Sequence, residues 1–174
     1  MRSVEDTPRL RFRELVEDDV DTLATLFADP EVMQYIGTGG VLTRDRALRS
    51  IERQQAEYRE RGFGEWATIE RETDAMIGLC GLIRWPDIDG VEELEVAYLL
   101  ARDAWGRGLG TEAATAIRDH AIEHLGRTRL ISCIYPDNHA SIRVATKVGM
   151  HFEKTFTYEG SPMSLFSLEA APSA

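Results

Sequence analysis

The residues of this chain best suited to chemistry fall in two stretches. The first runs through Glu93-Leu-Glu-Val-Ala-Tyr-Leu-Leu100 into Trp105-Gly-Arg-Gly-Leu-Gly-Thr111. Gly106, Gly108 and Gly110 alternate there with Arg107 and Leu109, at a corner where an apolar strand enters a helix. Residues without Cβ let backbone amides approach a ligand closely. A helix start offers unpaired N–H groups and a partial positive charge. Together these make a cradle for phosphate or pyrophosphate, to which Arg102 and Arg107 could add side-chain charge. The second stretch is Asn138-His-Ala-Ser-Ile-Arg-Val-Ala-Thr-Lys-Val-Gly149. Asn138 is an N-cap candidate for a helix that ends at Gly149.

Three phosphate-binding patterns compete for the glycine corner. A dinucleotide fingerprint requires G-x-G-x-x-G; here the third glycine arrives one residue early and Thr111 stands in its place. A Walker loop requires G-K-[ST] after four intervening residues, which the chain lacks. The third pattern, [RQ]-x-x-G-x-[GA], carries the pyrophosphate of coenzyme A in the GNAT superfamily of N-acetyltransferases. The segment from Trp105 to Gly110 resembles it except at the first position, where Trp105 replaces Arg or Gln. A glycine turn that merely joins strand to helix is the competing explanation. The second stretch weighs against it, because it resembles the N-x-x-S-x-x-x-x-x-K-x-G helix of the ribosomal-protein N-terminal acetyltransferase branch. Pro8-Arg-Leu-Arg-Phe-Arg13 and Asp29-Pro-Glu-Val-Met-Gln-Tyr35 resemble that branch's opening strand and first interhelical segment.

That resemblance implies acetyl-coenzyme A as cofactor and a primary amine as acceptor, reacting by direct attack in a ternary complex. The pantetheine arm would lie along Tyr98, Leu99 and Leu100. The pyrophosphate would meet the amides of Arg107, Gly108, Leu109, Gly110 and Thr111. Asn138 and Ser141 would approach the sulfur, with Arg143 and Lys147 as candidate charges toward the nucleotide end. Acetyl transfer needs a base for the ammonium, a donor for the carbonyl oxygen, and stabilisation of the departing thiolate. Strand alternation places Glu93, Glu95, Ala97 and Leu99 on one face, and Glu95 is the expected base, acting directly or through water. Glu93 is the fallback, and it joins Tyr35, Trp66 and Trp85 as a candidate for the acceptor pocket. A backbone N–H near Leu99 or Leu100 would serve the carbonyl oxygen. Many members of the family carry Tyr seven residues after the motif's Asn; here that position is Ala145, so Ser141 is the expected replacement. The missing Tyr also motivates an alternative, a GNAT-fold acyl-coenzyme A-binding or sensing module with impaired catalysis.

Periodicity supplies the elements that must hold these residues. Arg9 to Leu15 alternates as a half-buried strand, and Val16, Val20, Leu23 and Phe27 mark one face of a helix. Glu31 to Val41 is expected as a short turn of helix plus a loop. Thr43 caps a second helix to Arg61, with Ala47, Ile51 and Tyr58 inward and its many charges outward. Strands are expected at Phe63–Arg71, Ala75–Trp85 and Val91–Leu100, with Pro86–Gly90 as the intervening turn. A helix over 108–125, a strand over 128–134, the Asn138 helix, and strands at 150–158 and 163–168 complete the order. This order matches that of the GNAT fold, and the resemblance implies the fold class α/β (α+β): a mixed, mostly antiparallel twisted sheet of about seven strands with a V-shaped splay, flanked by about four helices. One domain over 8–170 is expected, with a disordered tail at 171–174.

Composition narrows the class. Hydrophobic residues make up 43% and charged residues 29%, an ordinary globular balance. The net charge of −10 argues against nucleic acid as the main ligand and suits a cationic acceptor, either a protein N-terminus or a small amine. Cys80 and Cys133 form no C-x-x-C pair, which leaves them as buried thiols. His120 and His124 are spaced for a metal but read more simply as solvated helix positions, and no metal is expected. No apolar run is long enough to span a bilayer and no signal-like segment opens the chain, so a cytoplasmic location is expected, with no membrane partner. A homodimer is possible.

Overall fold

The computed structural model describes residues 4–171. In chain order its elements are β1 (Leu10–Arg13), α1 (Val20–Ala28), α2 (Pro30–Met33), α3 (Arg44–Arg61), β2 (Glu65–Glu70), β3 (Ala75–Ile88), β4 (Val91–Leu100), α4 (Leu109–Glu123), β5 (Arg129–Ile134), α5 (His139–Lys147), β6 (His151–Tyr158) and β7 (Ser161–Glu169). The strands form one seven-stranded sheet in the order β1-β2-β3-β4-β5-β7-β6. Every neighbouring pair is antiparallel except β4 and β5, which run parallel. This is the mixed, mostly antiparallel sheet that the resemblance implied.

Each face of the sheet buries a separate core. On one side α4 lays Leu109, Ala113, Ala114, Ile117 and Ala121 against Trp66, Cys80, Val96 and Leu100. The alanines bring the helix close to the sheet, and full burial of Ile117 alone contributes roughly 1.5–3 kcal/mol. On the other side α1, α2 and α3 cover Ala67, Ile69, Leu79 and Leu99. Thr43 caps α3 with its hydroxyl on the Arg46 amide, and Gly62 ends it in the left-handed conformation. Asp29 caps α2 by accepting from the amides of Glu31 and Val32.

Two expected boundaries move. Strand β3 runs through Pro86 to Ile88, and only Asp89 and Gly90 form the turn. Both have positive φ (53° and 88°), the two-residue geometry that matches strand twist. Pro86 is tolerated because the register shifts between Trp85 and Ile88, a bulge that asks no ladder N–H of it. Strand β7 likewise begins at Ser161 behind a Glu159-Gly160 turn. It ends at Glu169, and the Ala170 amide donates to Thr128 C=O at 2.7 Å. Residue 171 follows without regular structure, and the remainder of the expected tail, 172–174, lies outside the described residues.

Candidate active site

Strands β4 and β5 share a single register pair, Glu95 with Ile131. Past it the ladder is replaced by side chains that hold the strands apart. The Cys133 amide donates to Glu95 Oε1 at 2.8 Å, and Ser132 Oγ donates to Val96 C=O at 2.8 Å. Backbone groups on a strand alternate in direction. The Ala101 amide donates to Ile77 C=O on β3 (2.8 Å) and the Val96 carbonyl meets β5, so even-numbered residues turn their backbone toward the gap. Tyr98 and Leu100 N–H therefore face it, whereas that of Leu99 belongs to the β3 side. Of the two amides proposed as carbonyl-oxygen donors, Leu100 is the one so oriented. The Leu100 carbonyl is taken by the Trp105 indole at 2.8 Å.

A cleft of about 680 Å³ opens here, on the α1–α3 side of the sheet. Glu95, Tyr98 and Leu99 line it together with Ser132, Cys133, Asn138 and Ser141. Glu95 is only 7% exposed. Its second oxygen accepts from Trp85 Nε1 at 2.6 Å. Burial raises its carboxyl to about 7, despite the two donors that favour the charged form, and the neighbouring Glu65 adds to the rise. A carboxylate titrating there is matched to proton transfer near neutral pH.

Other expected residues gather around it. Tyr35 and Trp85 both line the cleft, Tyr35 against Tyr135 (centroids 6.0 Å apart) and Trp85 edge-on to Tyr158 (4.8 Å). Asn138 caps α5 through its Oδ1 on the Ser141 amide at 3.1 Å. The Tyr98 hydroxyl crosses the gap to donate to Ser141 C=O at 3.1 Å, fixing the start of α5 over β4. The Ser141 hydroxyl is a further hydrogen-bond partner of the Tyr98 hydroxyl.

Trp66 does not join them. It is 1% exposed and packs between Tyr58 and His120, because β2 alternation turns it toward α4 while its neighbours Ala67 and Ile69 face the other core in turn. Glu93 lies outside the cleft as well. Arg129 Nε and an Arg129 terminal nitrogen bind it at 2.8–3.0 Å, and the same guanidinium holds Glu153 and Glu169. His120 is buried rather than solvated, with neither ring nitrogen bonded; burial pushes its pKa down and keeps it neutral.

The glycine corner lies beyond the far end of β4. Gly108 precedes α4 with φ 79°, and the first helical bond is from the Glu112 amide to Gly108 C=O. No acceptor reaches the amides of residues 107–111 among the described residues. Gly110 faces α5, where Val144 lies 3.9 Å from the position a Cβ would take. Arg143 and Lys147 are exposed on that helix and do not line the cleft. The charge expected from Arg102 and Arg107 is already committed. Arg102 pairs with Asp29 (2.8 Å) and Glu31 (2.6 Å), and Arg107 with Glu70. With 30 acidic residues against 20 Lys and Arg, arginines outside clefts find carboxylates readily. The corner is instead braced by Arg9, which donates to Arg107 C=O (2.8 Å) and pairs with Glu112 (2.6 Å).

Sequence reasoning passed over the residues that make the split. Ser132 and Cys133 sat in an unremarkable apolar run, and nothing in their spacing announces the role. The arginines of α3 did leave a signal: Arg46, Arg49 and Arg53 stand at i, i+3 and i+7, one face of the helix, and all three line the cleft. Among the described residues no group of three or more His, Cys, Asp or Glu is placed to hold a metal ion. No helix there is long and apolar enough to cross a membrane.

Comparison with known proteins identifies the family and the fold. Residues 9–151 match the family model described as the acetyltransferase (GNAT) domain. An uncharacterized protein of Bacillus subtilis strain 168, YkkB, is 32% identical over 161 residues, 92% of either chain. An acetyltransferase from Agrobacterium tumefaciens strain C58 superposes with a TM-score of 0.81 at 26% identity, covering 97% of this chain and 95% of that one. RimL, a ribosomal L7/L12 alpha-N-protein acetyltransferase solved with coenzyme A, superposes at 0.79 over 97% and 98% of the two chains. Its 16% identity speaks to the fold alone.

Proposed function

The chain belongs to the GNAT acetyltransferase domain family, and we propose that it transfers the acetyl group of acetyl-coenzyme A to a primary amine by direct attack in a ternary complex. The observation that carries this reading is the placement of Glu95. It lies at the point where β4 and β5 part, on the floor of the cleft, with a carboxyl raised to about 7.

The residues present fit the cofactor. Unbonded amides at 107–111 suit a pyrophosphate, and the Tyr98 amide that faces the gap suits an amide-bearing arm beside β4. Acetyl-coenzyme A would supply the activated thioester carbonyl. Glu95 takes the proton of the acceptor's ammonium, directly or through one water, and its two donors hold the carboxylate in place. The Leu100 N–H offers a donor where the carbonyl oxygen gains charge. The Ser141 hydroxyl, beside the Tyr98 hydroxyl at the start of α5, stabilises the departing sulfur without having to surrender a proton. Positioning in a closed site contributes roughly 7 kcal/mol or more in favourable cases, so catalysis does not require a strong acid at Ala145. The acceptor class includes protein N-termini, the acceptor named for RimL, and small amines.

The test is Glu95→Gln, assayed by thiol release with a panel of amines and by calorimetry with coenzyme A. The expected result is unchanged coenzyme A affinity with a rate lowered by roughly 10²–10⁴-fold. An unchanged rate would remove Glu95 from the mechanism. Thiol release from no amine by the parent protein, with coenzyme A still bound, would favour a sensing module instead.

A further inference from the structure

We propose that the acceptor carries, besides its amine, an anionic group (a carboxylate or a phosphate) received by Arg46, Arg49 and Arg53 of α3. The proposal deepens the acetyltransferase reading and rests on it, since it assigns the α3 wall of the cleft to the acceptor. Three observations converge. The three arginines share one helical face and all line the cleft, while the glycine corner and α5's Arg143 do not. The guanidinium groups of Arg46 and Arg49 make no hydrogen bond or ion pair among the described residues, and that of Arg53 has only a 4.0 Å approach to Glu65. Unpaired guanidinium groups are conspicuous in a chain with an excess of ten acidic side chains, where Arg13, Arg44, Arg84, Arg102 and Arg129 all have carboxylates.

The cleft's own carboxylates do not balance the row. Glu57 is held by Arg61 at 2.6 Å. Glu65 accepts from Gln54 at 2.6 Å and is pushed toward its neutral form by burial. Glu95 is reserved at the floor. The surplus positive charge therefore stands on α3, and the global negative charge does not describe the cleft. Seven residues along a helix span about 10 Å, enough for a phosphate or for more than one carboxylate. A guanidinium fork binds either group with two parallel hydrogen bonds. An acceptor bridging Glu95 and this wall would be held at both ends, its amine at the split and its anion on α3.

The experiment measures thiol release from acetyl-coenzyme A with four acceptors in matched pairs: the dipeptide Ala-Glu against Ala-Gln, and phosphoethanolamine against ethanolamine. The first pair tests a carboxylate and the second a phosphate. The expected result is a higher kcat/KM for the anionic member of at least one pair. In the Arg46→Ala/Arg49→Ala double variant that preference disappears through a roughly 10- to 100-fold rise in acceptor KM, with kcat and the KM of acetyl-coenzyme A unchanged. Arg46→Lys/Arg49→Lys keeps part of it, and added salt weakens it. Both positions are solvent-exposed, so the variants keep the parent Tm. Equal or better use of the neutral partner in both pairs overturns the proposal. So does a variant that weakens acetyl-coenzyme A instead of the acceptor, which would give the row to the cofactor. No thiol release from any of the four, nor from the wider amine panel with coenzyme A still bound, defeats the acetyltransferase reading itself.

Discussion

Glu95 keeps two hydrogen-bond donors on its carboxylate and still titrates near neutrality, because losing its water outweighs what the Trp85 indole and the Cys133 amide return. Two outcomes follow at this scale. The pH profile of kcat/KM rises through a limb near 7 as Glu95 ionises, and Glu95→Gln abolishes that limb. Trp85→Phe removes a donor that favours the charged form, so its limb moves to higher pH. A profile identical to the parent's would contradict the hydrogen bond's role. The same shift acts on stability. The folded carboxyl binds its proton more tightly than the ordinary value of 4.5, so its contribution is complete below that pH and is lost as pH climbs through about 7. The loss amounts to roughly 3 kcal/mol. Thermal melts from pH 4.5 to 8 are expected to fall less steeply for Glu95→Gln than for the parent, and equal slopes would count against the burial argument. The placement of Glu95 on the cleft face was legible in the sequence, since alternation puts Glu95 and Leu99 on one face. Its neighbours were not: Glu93 shares that face, yet Arg129, 36 residues on, claims it, and no spacing foretells such a pair.

At the scale of elements, periodicity recovered the helices and β1, each of which buries a single face, while β2 and β3, buried on both, were marked as apolar runs between turn residues. It could not say which face meets which core. Trp66 shows the limit, since one residue along β2 separates the cleft side from the α4 side. Nor could it foresee the opening between β4 and β5, where Ser132 and Glu95 spend their side chains on backbone groups that a ladder would otherwise pair. Close approach between strands is equally invisible in sequence. A Cβ on Gly81 would sit 2.2 Å from Gly64 C=O and 2.3 Å from Glu65 Cα, backbone that cannot swing away. Gly81→Ala is accordingly expected to destabilise the fold by roughly 1–3 kcal/mol, read as a lowered midpoint in urea. An unchanged midpoint would mean that β2 and β3 are looser than their register suggests.

Across the whole molecule, the sheet divides the labour. The α4–α5 side carries the glycine corner, braced by Arg9 and Glu112, and the α1–α3 side carries the cleft with its arginine wall. Bulk charge averages over both sides and suits the acceptor's ammonium, whereas the proposed anionic group of the acceptor is read from the few cleft guanidinium groups without carboxylate partners among the described residues. A ligand that binds only the folded chain raises its stability, by about 2.7 kcal/mol at a hundredfold excess over Kd, so coenzyme A should protect the protein from heat. The most direct test of the account is calorimetric titration of coenzyme A into the parent and into Gly108→Val, whose side chain must enter a φ of 79° beside the unbonded amides. The account predicts one saturable site in the parent, weakened at least roughly tenfold in the variant, in line with a local loss of over 1.4 kcal/mol. Absence of saturable heat in the parent, or equal affinity in both proteins, would contradict it.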